Sequence, residues 1–323
     1  VNQLCIEDVG EPLGIKGKGP SVAILLCTYH GQQYLADQLN SFAAQTHSNW
    51  KAWASDDGSQ DGTLQILHGF ERTWPVGQLS IHAGPAKGFV SNFLSLTCNP
   101  GIQADYYAYS DQDDIWEEDK LERALSWLES VPADIPALYC ARTRLVDKDN
   151  NEIGFSPLFK NPCFANALVQ NIAGGNTMVF NNAARALLNE AGIQAPIVIH
   201  DWWVYLVVAG CGGRIFFDPV PSLRYRQHDL NLVGMNSSWL ARLTRMRKLL
   251  QGQHREWNLV NIAALRRLET RLTPPNLAVL NNFAKARESS LIPRLVYFLR
   301  SGVWRQTWFG NISLLAAAIF KKI

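Results

Sequence analysis

Four apolar runs in the first 110 residues each end in a polar or glycine-bearing cluster, and each gives way to a segment with helical spacing. The first, SVAILLCTY (21–29), is β-rich, too short for an ordinary helix, and fits a strand buried on both faces. GQQYLADQLNSFAAQ follows, with Leu35, Leu39 and Phe42 spaced as on one helix face. WKAWASDDGSQDG (50–62) reads as a second strand ending in a polar turn, then TLQILHGF as a helix and LSIHAG (79–84) as a third strand. GFVSNFLSLT (88–97) is helical, YYAYS (106–110) is a fourth strand, and EEDKLERALSWLE is an amphipathic helix carrying Leu121, Leu125 and Leu128. This alternation predicts an α/β fold, a mostly parallel sheet flanked by helices. Ligands of such sheets sit beyond the carboxyl ends of the strands. CTYHG, SDDGS and SDQDD all fall at such ends.

After residue 135 the pattern changes. ALYCARTRLVD and NIAGGNTMVF read as strands, DWWVYLVVAG as a helix capped by Asp201, and RIFFDPVPSLRYRQH as extended chain. From Ser237 onward the text is helical and basic. Residues 1–240 hold 15 Lys/Arg against 25 Asp/Glu, whereas residues 241–323 hold 15 against 3. So lopsided a block suggests a polyanionic neighbour, either nucleic acid or an anionic membrane surface. Its longest apolar stretch, Ile312–Phe320 interrupted by Ser313, falls short of the ~20 residues that span a bilayer and fits a surface-lying amphipathic attachment.

Eleven Trp and fourteen Phe argue against disorder, although residues 1–20, rich in Gly and Pro, read as a loose tail. No basic start followed by an apolar stretch marks a secretory signal there. The six cysteines are scattered without a C-x-x-C pair, which fits free thiols in a reducing, cytosolic setting.

The ordered set TYHGQQYLADQLNSFAAQ, SDDGSQDGT, GFVSNF, YSDQDDIWEEDKL, GGNTMVF, HDWW and YRQHDLNLVG resembles the family-two glycosyltransferases. These are inverting, nucleotide-sugar-dependent enzymes with a GT-A fold. The likeness is greatest to bacterial rhamnosyltransferases of O-antigen and other surface polysaccharides. It runs from about Ser21 to Gly234, and an ending that contains SGVWRQTW looks like the helical tail some members carry. The resemblance implies a GT-A domain over 21–236, with a nucleotide-sugar half (21–135) and an acceptor half (136–236), then a basic helical extension over 237–323.

By the same resemblance Asp111 faces the ribose or sugar and Asp113 binds a divalent cation, Mg2+ or Mn2+, whose hard character suits carboxylate oxygens. Asp114 either supports that site or caps the next helix; a plain helix start, where anions are favoured, also accounts for Asp113 and Asp114. Asp57 is placed to accept the N3–H of the donor's pyrimidine, a hydrogen common to uracil and thymine, while an Asx turn explains much of the same string. Thr28 and Tyr29 lie beside the base, though Tyr29 equally fits a core position. Lys87, Gly88 and Asn92 offer a cation, close backbone approach and a polar group to the anionic donor, and a helix start reads the same way.

Asp201 is the implied general base that deprotonates the acceptor hydroxyl, and an N-cap role suits it too. Gly174, Gly175 and Asn176 line the acceptor pocket with His200, Trp202 and Trp203; either Trp equally fits the core. His228 completes the metal coordination, and Arg226, alternating with Arg224, faces the diphosphate. The implied reaction moves L-rhamnose from dTDP-β-L-rhamnose, or a hexose or N-acetylhexosamine from a UDP donor, onto a glycan or lipid-linked glycan. The implied setting is the inner face of a bacterial plasma membrane, met through residues 237–323, with no nucleic-acid partner. A nucleotidyltransferase would need a Gly/Arg/Lys-rich triphosphate loop near the first strand, and CTYHGQQY has none.

Overall fold

The computed structural model describes residues 19–227 and 253–323. The expected tail up to residue 18, His228, and the stretch from 237 to 252 lie outside the described residues. The first half alternates as the sequence predicts: β1 (Val22–Thr28), α1 (Leu35–Ala43), β2 (Trp50–Asp56), α2 (Thr63–Thr73), β3 (Leu79–Ala83), α3 (Phe89–Thr97) and β4 (Tyr106–Ser110). A two-residue strand, β5 (Ile115–Trp116), then separates the acidic loop from α4 (Lys120–Leu128). Asp113 and Asp114 therefore do not begin that helix; Asp119 occupies its cap position.

The second half supplies β6 (Ala137–Ala141), β7 (Arg144–Val146), β8 (Glu152–Phe155), α5 (Phe164–Ala167), β9 (Val179–Asn181), α6 (Asn182–Ala191), α7 (His200–Gly210), β10 (Arg214–Asp218) and β11 (Leu223–Arg226). Only the end of NIAGGNTMVF is a strand; Gly175–Thr177 before it forms a 3-10 turn. The helix expected to start under an Asp201 cap begins two residues earlier, with Ile199 as its cap and the Ile199 carbonyl accepting from the Trp203 N–H.

The main sheet has the order β10-β6-β9-β4-β1-β2-β3, parallel except for β9, which runs antiparallel to both neighbours. Strand β1 reads as a continuous apolar run because both its faces are covered. Val22, Ile24 and Leu26 join one core with Leu35, Leu39, Phe42, Leu67 and the Leu121–Leu125–Leu128 stripe. Ala23, Leu25 and Cys27 point the other way, into a core shared with Phe93, Leu188 and Trp203. A small sheet, β5-β11-β7-β8, backs the acidic loop.

Among the described residues four further helices follow: α8 (Gln253–Arg266), α9 (Pro274–Glu288), α10 (Leu291–Ser301) and α11 (Trp308–Ile319). Thr273 caps α9 by accepting the Asn276 N–H, with prolines filling the first turn, where no N–H is needed. Leu265, Leu280, Phe283 and Leu314 share the core that covers Trp203, so these helices pack onto the α7 side of the sheet. The five described cysteines, Cys27, Cys98, Cys140, Cys163 and Cys211, are free thiols.

Candidate active site

Strands β4, β1, β2 and β3 are parallel neighbours, so the loops leaving their carboxyl ends share one rim. Asp56 closes the SDDGS turn there, accepting from the Thr28 hydroxyl at 2.9 Å and from the N–H and hydroxyl of Ser59 at 2.8 and 2.6 Å. Asp57 takes the N–H of Ala86 on one carboxylate oxygen and that of Gly88 on the other, both at 2.7 Å. This draws the loop after β3 over the end of β2. Gly88, at φ 85°, holds a left-handed conformation that a side chain would strain. Lys87 is exposed on this loop, and Tyr29 stands on the rim with 56% of its surface free. Asn92, by contrast, is buried, accepting from the Ser55 hydroxyl and donating to the Ser55 carbonyl. It pins α3 to β2, and its amide is already engaged.

The acidic loop follows β4. Gln112 fastens it to the end of β1 by donating to the Tyr29 carbonyl at 2.9 Å and accepting the Tyr29 N–H at 2.8 Å. Asp114 is fully buried and accepts from the Asn176 side-chain amide at 2.6 Å. The Asn176 carbonyl in turn accepts from the Lys120 ammonium at 2.5 Å, and Lys120 lies over the Trp116 ring at 3.4 Å from its centroid. Burial raises the Asp111 pKa to about 7, helped by the charges of Asp113 and Asp201 and opposed by Lys120. Burial, with Asp113 and Asp111, also holds Asp114 well above the carboxylate range. Lys120 is pushed well below the usual lysine value by burial, against the pull of Asp114 and Asp111.

Lys120 was missed as a site residue because a lysine on an amphipathic helix is ordinarily solvated. The available signal was spacing: Lys120, Ala124 and Leu128 fall on the buried side of α4.

Antiparallel β9 sets its first residue, Val179, beside Ala108 of β4, and so brings the Gly175–Thr177 turn to the same rim. Asp201, in the first turn of α7, accepts the Gly175 N–H at 3.1 Å and the Trp202 N–H at 2.5 Å. Burial lifts its pKa to about 6 against those bonds and one from Asn171. A Cβ on Gly175 would come within 2.7 Å of His200 Nε2 and 3.2 Å of Asp201 Cβ, so only glycine permits this approach. Gly174, next to it, is exposed. One hydrogen-bonded path thus runs from Asp114 through Asn176 and Gly175 to Asp201. Asp57 and Asp113, on loops, and Asp201, in the first turn of α7, sit on one rim.

Besides Asn92, the expectation for Arg226 changes, the open reading of the two Trp residues closes on the core, and His200 keeps its place as a wall. Trp202 and Trp203 are buried, the first donating to the Ala167 carbonyl at 2.6 Å, so neither is available to stack on a sugar. The cause is that α7 is covered by α5, α6, α8 and the sheet together. His200 is buried and stacks on Phe93 at 3.8 Å; burial lowers its pKa to about 3, so it is a neutral ring in the wall behind Gly175. Arg226 is buried too, and does not stand free toward a diphosphate. Its guanidinium donates to the Asp113 and Lys148 carbonyls and to Asp37 while covering the Tyr34 ring. It holds the acidic loop from behind. A cleft of about 640 Å3 lies on that rear side between α1, β5 and Arg224, and its lining includes none of Asp57, Asp111, Asp113 and Asp201.

Among the described residues no group of three or more His, Cys, Asp or Glu side chains forms a metal site by itself. The residues that could hold a divalent cation are Asp113 and Asp111, neighbouring carboxylates of the acidic loop. Such ions are held in nucleotide sites by one or two carboxylates plus the ligand's phosphates. The crowding that raises Asp111 leaves Lys120 as the cation acting on it. His228 lies outside the described residues.

The model of the family described as Glycosyl transferase family 2 matches residues 23–188. The chain belongs to this family. It is 28% identical over 235 residues to the dTDP-rhamnosyl transferase RfbG of Shigella flexneri, covering 68% of this chain and 78% of that protein. It is 32% identical over 112 residues to a putative teichuronic acid biosynthesis glycosyltransferase, TuaG, of Bacillus subtilis, covering 34% of this chain and 42% of the relative. Among solved structures, S. aureus TarS 1-349 in complex with UDP-GlcNAc aligns with a TM-score of 0.52 at 13% identity, covering 88% of this chain and 93% of that one. The mannosyltransferase PcManGT of Pyrobaculum calidifontis, in complex with GDP-Man and Mn2+, aligns with a TM-score of 0.50 at 16% identity, covering 94% and 88%. The fold of this family-2 glycosyltransferase is accordingly the GT-A fold, with a C-terminal block of helices.

Proposed function

We propose that this family-2 enzyme moves L-rhamnose from dTDP-β-L-rhamnose onto a glycan or lipid-linked glycan acceptor, with inversion at the anomeric carbon. The observation that carries the reaction is the gathering of Asp57, Asp111, Asp113 and Asp201 on one rim, whose segments are tied by the bonds of Gln112 to Tyr29, Asn176 to Asp114 and Gly175 to Asp201. Support for the sugar comes from the similarity to the Shigella flexneri dTDP-rhamnosyl transferase across most of both chains. In this reading the base of the donor lies against Tyr29, with Thr28 buried behind it and bonded to Asp56 rather than in contact with the base, and Asp57 accepts its N3–H on a lone pair left by Ala86 and Gly88. Lys87, exposed above, meets the diphosphate.

Asp201 removes the proton of the acceptor hydroxyl, and the freed oxygen attacks the anomeric carbon from the face opposite the nucleotide. The bond from that carbon to the phosphate oxygen breaks, its electron pair leaving on dTDP, and the β-linked donor yields an α-linked rhamnoside. When bound, a divalent cation held by Asp113 with Asp111 supplies countercharge to the departing diphosphate. Gly174, exposed, forms the acceptor's floor, with the buried Gly175, Asn176 and His200 behind it. The acceptor is met at an anionic membrane surface, on the inner face of a bacterial plasma membrane. None of the helices in the described residues is long and apolar enough to cross a membrane.

The test is transfer by the purified chain from dTDP-rhamnose to a lipid-linked glycan, with calorimetric competition by UDP-glucose, UDP-galactose and UDP-N-acetylglucosamine. The expected result is turnover with dTDP-rhamnose that EDTA silences and Mn2+ or Mg2+ restores. Tighter binding and faster transfer with a UDP-sugar would replace the donor; full activity in chelator would remove the cation.

A further inference from the structure

Helix α10 is built inside out. Arg294 is 6% exposed, its guanidinium donating to the Ser289 carbonyl at 2.8 Å and, at the end of α11, to the Ala318 and Ile319 carbonyls at 3.2 and 3.0 Å. On the same helix Ile292 and Leu299 are 77% and 71% exposed, and with Val296 they fall at i, i+4 and i+7 on one face. Burial of apolar surface dictates the reverse arrangement for a helix facing water.

Helix α11 repeats the pattern. Trp308, 71% exposed, shares a face with Ile312, Leu315 and Ile319, all exposed and spaced i, i+4, i+7 and i+11. Leu314, Ala317 and Ala318 are buried on its other side, so α11 carries apolar residues on both its covered and its exposed sides. Single exposed apolar residues are ordinary; two stripes on helices that pack together mark a surface made to be covered.

Charge says by what. Residues 289–323 contain five Lys/Arg and no Asp or Glu. With Arg294 turned inward, Arg300 and Lys321 are exposed beside the stripes. Paired symmetrically with itself, such a surface would set like charges together. An anionic lipid headgroup layer satisfies both features at once, and Trp308 suits the boundary between headgroups and acyl chains. At 12 residues α11 is about 18 Å long, too short to cross the hydrocarbon.

We infer that α10 and α11 form a membrane-docking surface, lying flat in the headgroup region of an anionic bilayer with the Ile292–Val296–Leu299 and Trp308–Ile312–Leu315–Ile319 stripes inserted. This deepens the membrane-facing part of the reading above and does not depend on which sugar is moved. It assigns the holding power to apolar insertion, with basic residues choosing the lipid.

The test is flotation of the full chain with vesicles of phosphatidylcholine alone or mixed with phosphatidylglycerol, alongside Ile292→Glu/Leu299→Glu and Leu315→Glu/Ile319→Glu. Wild-type protein is expected to float with the mixed vesicles, and each double variant to lose roughly tenfold or more in partitioning while keeping its melting temperature. Wild-type partitioning into neutral vesicles is expected to be lower by a similar factor. Wild-type protein that stays unbound, or variants that float equally well, would overturn the inference. So would a wild-type dimer, seen by light scattering, that the variants dissolve without any change in flotation. Transfer from dTDP-rhamnose to a soluble glycan, measured on the same samples, separates the two readings. Transfer without flotation sinks the docking surface alone, and flotation without transfer sinks the sugar alone.

Discussion

Gln112 grips the backbone of Tyr29 with both ends of its side-chain amide, at 2.9 and 2.8 Å, and so ties the acidic loop after β4 to the end of β1. These segments are 83 residues apart, and no other residue type of that length both donates and accepts here. Truncation to Ala frees the exposed Tyr29 from Asp111 and Asp113, which in the proposed reading hold opposite ends of one donor. Two hydrogen bonds at about 1 kcal/mol each predict that Gln112→Ala raises the KM for the donor by roughly tenfold or more. Steady-state kinetics with donor varied checks this; an unchanged KM would mean that the loops keep their spacing without the clamp.

Asp201 carries a pH signature in both rate and stability. Burial raises its pKa from 3.8 to about 6, so the base form is lost as pH falls below that value and transfer should drop about tenfold per unit there. For stability the sign is opposite. Above pH 6 the folded state bears the cost of a buried carboxylate that the unfolded chain lacks. Between pH 6 and about 4 the folded state takes up the proton first, and that cost fades. Asp201→Asn should therefore abolish transfer yet raise stability at pH 8 by roughly 1–2 kcal/mol, with the gain shrinking by pH 5. Paired thermal melts at the two pH values, alongside turnover, make the measurement.

Legibility from sequence followed the number of faces a segment buries. β1 could be read because both its faces are covered, leaving one unbroken apolar run ending at Thr28. The acidic loop could be read because four carboxylates in seven residues have few purely structural uses. What stayed hidden depends on partners far away in the chain. Arg226 looks like a phosphate ligand until Asp37, 189 residues earlier, and the Asp113 carbonyl occupy it. Trp202 and Trp203 have the chemistry of a sugar platform, and only the packing of α5, α6 and α8 around α7 puts them inside. The cap of α7 lies two residues before Asp201 because Ile199 supplies the backbone carbonyl and Asp201 is turned toward Gly175.

Lys120 offers a way to separate catalysis from folding. It is fully buried, bonded to the Asn176 carbonyl and felt by both Asp111 and Asp114. Lys120→Met fills the same space over Trp116 but leaves the Asn176 carbonyl without its donor and the buried Asp111 and Asp114 without their countercharge. Stability is therefore expected to fall by roughly 3–5 kcal/mol, so turnover is compared per folded molecule. Turnover should fall by more than tenfold, about 1.4 kcal/mol, because the acidic cluster loses its internal countercharge. A variant that melts far lower but turns over normally when folded would reduce Lys120 to a packing residue.

Gly175 joins the donor side of the rim to the base, and its missing side chain makes that possible. An added methyl would meet His200 Nε2 at 2.7 Å and Asp201 Cβ at 3.2 Å. His200 cannot retreat, since it is stacked on Phe93 at 3.8 Å and edged by Tyr109 at 5.2 Å. The strain must then be relieved by moving the turn away from α7. That movement breaks the Gly175 N–H bond to Asp201 and shifts Asn176 relative to Asp114. Overpacking of this kind costs about 1–3 kcal/mol, so Gly175→Ala should lower the melting temperature by several degrees. The informative result is kinetic. Loss of an N–H donor to the carboxylate should raise the Asp201 pKa further, moving the acid limb of the kcat profile to higher pH while donor affinity holds. Gly174→Ala, one residue away, is the control: its Cβ would meet the Asn176 Oδ1 at 3.1 Å and does not approach Asp201. An acid limb that stays at the wild-type position in Gly175→Ala would show that the bond to Asp201 does not set its basicity.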